Sequence, residues 1–119
     1  MAQYMLLLYD DPANWAGISP EEMQKAIEKY VAWRHKLQAQ GIFAGSHKLA
    51  GDMGRVLRKR DGKPRVTDGP YSETKEVLGG YFILTAAGYD EAVEHARGCP
   101  HLDYGGTIEV REVDALTAT

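Results

Sequence analysis

The sequence predicts an α+β fold, an antiparallel sheet covered by helices on one face, on three observations. Residues 3–9 and 80–86 are apolar on both of their alternating faces, as strands covered on two sides are. A long amphipathic stretch with a full set of helix-start residues follows the first of them. A short helix and a last alternating strand follow the second. Once an inserted hairpin is set aside, the order is β-α-β-β-α-β, a ferredoxin-like split βαβ arrangement with both helices on one face of the sheet.

Each element has its own signal. Ser19 is suited to cap the long helix, Pro20 to its first position, and Glu22 completes a capping box. The helix is expected to run to about Gln40, with Met23, Ile27, Tyr30, Arg34 and Leu37 inward and Ala26 and Trp33 flanking; Gly41 is its left-handed stop. Residues 42–49 read as a second strand. Asp61-Gly62 between residues 55–60 and 63–67 reads as a type I′ hairpin turn, and Pro64 places the return arm at a sheet edge or strand start. Residues 90–97 form the short helix with Ala92, Val93 and Ala96 inward, and residues 107–113 the last strand.

With 119 residues, the chain makes a single domain, 1–119, with its core over about 3–113. Hydrophobic content of 44% and charged content of 26% are those of a folded domain. The net charge of −3 argues against nucleic acid as a partner. The lone Cys99 has no partner for an internal disulfide, and the opening apolar run is too short for a signal peptide or a membrane span. A cytoplasmic protein without membrane attachment is the expectation. The strands at 3–9 and 80–86 leave an apolar open sheet face, which a second copy covers most simply, so a homodimer is expected.

Residues 67–82 concentrate the unusual chemistry: a turn (Asp68-Gly69-Pro70), a polar quartet (Ser72, Glu73, Lys75, Glu76) and a glycine pair in one connection. Asp68, Glu73 and Lys75, with Tyr71 between them, supply groups for acid/base work if a cleft holds them; Asp68 is equally suited to bond its own turn, and the charged run to be a solvated rim. His47 is the histidine best placed for a cleft at the sheet edge. Tyr9, Trp15, Tyr71 and His101 are the expected ligand contacts, and Arg111 either closes the pocket or pairs with Glu109. No metal and no cofactor is expected: His101-x-Asp103 follows no ligand-spacing rule, and neither glycine pair is followed by Gly-Lys-Ser/Thr. Six cations between Arg55 and Arg65 face one acid, Asp61; without interleaved aromatics they read as edge protection rather than a nucleic-acid surface.

The run Met5-Leu-Leu-Leu-Tyr9, the Ser19-Pro-Glu-Glu22 start and above all Thr67-Asp-Gly-Pro-Tyr-Ser-Glu-Thr-Lys-Glu-Val-Leu-Gly-Gly-Tyr81 resemble the DGPF-domain branch of the YCII-related family. Asp90-Glu-Ala92, Cys99-Pro100 and Tyr104-Gly-Gly106 extend the likeness, and Tyr71 stands where that branch has Phe. The resemblance implies a dimeric ferredoxin-like fold of the dimeric α/β-barrel superfamily. It implies little about activity: some members are associated with extracytoplasmic-function sigma factors, and a distant relative is a dehydrochlorinase that uses a His/Asp pair. That pair does not carry over, because Ile27 and Ala39 occupy the corresponding neighbourhoods and the helix histidine, His35, lies on the solvated side. Two functions therefore stand: a small-molecule cleft, binding or catalytic, near Asp68-Gly69-Pro70; or a non-enzymatic accessory module alongside a sigma factor.

Overall fold

The computed structural model describes residues 1–69 and 75–115. Four strands, β1 (Ala2–Asp10), β2 (Phe43–Lys48), β5 (Val77–Ala86) and β6 (Thr107–Glu112), form one antiparallel sheet in the order β2-β5-β1-β6. β3 (Arg55–Arg60) and β4 (Lys63–Asp68) form a separate two-stranded ribbon. Helices α1 (Pro20–Ala39) and α2 (Tyr89–Ala96) complete an α+β architecture consistent with a ferredoxin-like fold. Short 3-10 turns span Pro12–Trp15 and Pro100–Tyr104.

The predicted punctuation acts as expected. The Ser19 hydroxyl accepts the Glu22 amide at 3.1 Å, and Gly41 follows α1 with φ +73°. Asp61 (φ 52°) and Gly62 (φ 76°) both take the positive φ that a type I′ turn demands. The glycine pair before residue 81 has two separate uses. Leu8 faces Gly80 while Tyr9 faces Leu78, so Gly79 is the extra residue of a bulge. At Gly80 a Cβ would come within 2.8 Å of the His47 carbonyl, so β2 can pass there only over a glycine.

The core lies between the sheet and the helices. Tyr4, Leu6 and Leu8 of β1 and Phe82, Leu84 and Ala86 of β5 meet Trp33 and Leu37 of α1 and Ala92 and Ala96 of α2. The Trp33 ring stands edge-on to Phe82, centroids 4.9 Å apart. That contact turns α1 from the expected orientation: its buried residues are Ala26, Trp33 and Leu37, and Ile27 is left 47% exposed. α2 likewise rests on Ala92 and Ala96 alone, with Val93 outside, because only small residues let the short helix lie close to the strands. β5 begins three residues earlier than expected, and the loop before β6 is ordered as a 3-10 turn ended by left-handed Gly105.

Cys99 belongs to this core. Burial pushes its thiol up from an ordinary value of 9.0 to about 11, against the lowering effect of a backbone hydrogen bond from His101. Between those values the unfolded chain sheds a proton that the folded chain keeps. Stability present in full below pH 9 is therefore lost as pH climbs towards 11, by about 2–3 kcal/mol. Cys99→Ala costs stability at neutral pH through its cavity, and the gap to wild type is expected to narrow between pH 9 and 11 in denaturant titrations. A gap independent of pH would contradict this.

Candidate functional site

The register of the four strands separates two faces. Tyr4, Leu6 and Leu8 point to the helices, so Met5, Leu7 and Tyr9 point the other way. Opposite them on this open face lie Ile83 and Tyr81 of β5 and Arg111, Glu109 and Thr107 of β6; His47 of β2 faces Tyr81. Met5, Leu7, Tyr81 and Ile83 are only partly buried in the single chain. The middle of the face is thus apolar, and it is flanked by polar side chains towards both edge strands.

Two hydrogen-bonded pairs form, one on each side of Leu7. His47 Nδ1 lies 2.6 Å from the Tyr81 hydroxyl, the rings tilted 55° with centroids 5.6 Å apart. The Tyr9 hydroxyl donates to Glu109 Oε1 at 3.3 Å, and Glu109 Oε2 lies 3.8 Å from Arg111. Burial first, and then the charge of Glu109, raise the Tyr9 phenol above its ordinary range, so it stays a donor. Beside them the Thr107 hydroxyl donates to Glu76 Oε1 at 2.9 Å, which ties the end of the 67–82 connection to the start of β6. A His–Tyr pair in short contact can pass a proton to or from a bound hydroxyl or carboxyl group; the Arg111 guanidinium stands on the opposite edge strand.

A second cluster sits behind the same sheet end, on the helix side. His101 is 5% exposed, and both its ring nitrogens are taken. The Tyr9 carbonyl only accepts, so Nε2–H donates to it at 2.7 Å. In the neutral ring Nδ1 then accepts from the Tyr30 hydroxyl, 2.9 Å away. Burial, reinforced by Cys99 and Asp10, pushes the Tyr30 phenol up, which keeps the proton it donates. The ring lies so close to Gly106 that a Cβ there would overlap it. Around this lock the Asp10 carboxylate accepts from the Trp15 indole at 2.5 Å, Trp15 stacks on Tyr104 at 5.1 Å, and Lys29 sits 5.5 Å over the same Tyr104 ring.

The expected site residues therefore divide. His47, Tyr9 and Arg111 share the open face. Trp15 and His101 belong to the rear cluster, where His101 is held by its partners rather than turned to solvent. Asp68 ends the ribbon, its exposed carboxylate 3.1 Å from Arg55, and Lys75 is exposed. Tyr71 and Glu73 lie outside the described residues. Glu109 was expected only as the partner of Arg111, which it is at 3.8 Å. Tyr81, Tyr30 and Asp10 were absent from the expected site, and only Tyr81 had a usable signal. It alternates with Phe82 and Leu84, so it must face away from the core; that it meets His47 depends on which strand lies beside it. Among the described residues, no group of three or more His, Cys, Asp or Glu is placed to hold a metal ion.

The model of the YCII-related domain matches residues 2–117. The chain belongs to the YCII-related family. An uncharacterized protein of Rhizobium meliloti (strain 1021) is 31% identical over 110 residues, covering 91% of this chain and 89% of its own. No described helix of this YCII-related protein is long and apolar enough to cross a membrane.

Proposed function

We infer that this YCII-related protein works as a homodimer whose open sheet faces enclose a small-molecule site, binding or catalytic, beside the His47–Tyr81 pair. The carrying observation is the pairing of His47 with Tyr81 at 2.6 Å on one flank of the apolar Met5, Leu7 and Ile83, with the Tyr9–Glu109 pair on the other flank. A ligand with an apolar body and an acidic hydroxyl or carboxyl end suits that division: Met5, Leu7 and Ile83 take the body, and His47 and Tyr81 take the end. Glu76, bonded to Thr107, brings the end of the 67–82 connection to the open face. The setting is the cytoplasm, where a lone buried thiol such as Cys99 stays reduced.

A thermal-shift screen against phenols and carboxylic acids tests the reading. One class is expected to raise the midpoint of wild type by several degrees, and Tyr81→Phe or His47→Ala to abolish the rise. A shift that survives both substitutions would place the ligand elsewhere, and a flat screen would count against the cleft. The accessory reading, a module alongside an extracytoplasmic-function sigma factor, is favoured by one observation: the ribbon carries its cations on an exposed surface. It leaves the His47–Tyr81 pair without a use.

A further inference from the structure

The ribbon of β3 and β4 stands apart from the rest of the molecule. Neither arm packs to any extent on the four-stranded sheet or the helices, and every residue of both arms except Val56 is exposed. The radius of gyration, 16.3 Å, exceeds the roughly 13–14 Å expected for a compact chain of this length, and the molecule measures 48 × 43 × 20 Å. A two-stranded ribbon alone in water is marginal, so one that extends this far needs something to lie on.

Its two faces say what. Arg58, Arg60, Lys63 and Arg65 share one face with Thr67, while Leu57 and Val66 are paired on the other, 66% and 64% exposed. Edge protection accounts for the cations but not for the exposed apolar pair. The segment 55–65 carries six cations against Asp61, a net +5, within a chain of net −3, so the remainder carries −8. Along α2 and the end of β6 that remainder sets Asp90, Glu91, Glu94, Glu112 and Asp114 against Arg97 alone among Lys and Arg, a net negative strip. A basic, partly apolar arm on an acidic body is complementary to a second copy of the same chain, and two-fold symmetry lets each arm lie on the other's body.

We propose that the β3–β4 ribbon is an arm that clasps the acidic body of a second copy, outside the sheet-to-sheet contact. The inference rests on the homodimer reading above but is separable from it. Sedimentation equilibrium of wild type, Arg58→Glu/Arg65→Glu and Leu57→Ser/Val66→Ser is the test. Each double variant is expected to weaken dimerisation roughly tenfold or more, and the wild-type constant to weaken with added salt because the charges are exposed. Helical circular dichroism stays near wild type, since the arm lies apart from the core. A wild-type dimer whose constant is unchanged in both variants overturns the clasp and leaves the sheet-to-sheet dimer standing. A wild type that is monomeric throughout overturns both. Loss of binding to a duplex oligonucleotide in Arg58→Glu/Arg65→Glu, with dimerisation intact, would assign the arm to a polyanion instead.

Discussion

Replacing Gly106 with alanine is expected to destabilise the protein by about 3 kcal/mol, roughly 10 °C in Tm, although it adds only one methyl group. The methyl would overlap the imidazole of His101, which cannot swing away. Its Nε2–H is fixed to the Tyr9 carbonyl and its Nδ1 to the Tyr30 hydroxyl, and moving the ring breaks both bonds inside the protein. His101→Ala should cost a similar ~3 kcal/mol by itself, from the cavity and from two buried polar groups left unpaired. The two changes are not independent. In Gly106→Ala/His101→Ala the new methyl enters space that the ring has left, so the double variant should be more stable than the sum of the single losses requires, by ~1 kcal/mol or more. Urea titrations of the four proteins measure this. Simple additivity would mean that His101 is not the wall against which Gly106 is packed. The lock bears on function because the Tyr9 carbonyl on its rear and the Tyr9 phenol in the site belong to one residue.

Leu7→Asp is expected to convert a dimer to a monomer at micromolar concentration, as read by light scattering, with a dimer constant weakened about a hundredfold or more. Leu7 lies at the centre of the open face between Tyr81 of β5 and Glu109 of β6, partly buried in the single chain. A carboxylate there has no cation directly opposite, so covering it with a second sheet would strand a charge in an apolar seam. The monomer itself should keep its helical content, because position 7 does not touch the core. Leu6→Asp, one residue away and fully buried, should instead unfold the chain. If Leu7→Asp leaves the mass unchanged, the open face is not the seam.

Much of the fold could be read from residues whose meaning is local. Ser19, Pro20 and Gly41 bound α1 because capping and left-handed φ are properties of a few adjacent residues. Asp61-Gly62 determined the ribbon turn for the same reason, and the two-faced apolar strands announced that they were central. Periodicity was less able to orient a helix. It placed Ile27 inward, whereas the Trp33–Phe82 contact rotated α1 to bury Ala26, and packing of one large ring outweighs a stripe of averaged hydrophobicity.

The site was decided by pairing between strands far apart in sequence. His47 stood out as a histidine near a sheet edge, but its partner lies 34 residues away and becomes a partner only when β2 lies beside β5 in one register. A slip of one residue would turn Tyr81 into the core and Phe82 to solvent, so register, not composition, makes the pair. His101 shows the converse: a glycine-flanked loop suggested an exposed contact, and the 3-10 turn at Pro100–Tyr104 folds the ring inward between Tyr9 and Tyr30. Caps, turns and strand character are written in neighbouring residues, and the sequence alone determined them. Which strands pair, which histidine is buried and which stays exposed depend on contacts across the chain, and only the tertiary structure decided them.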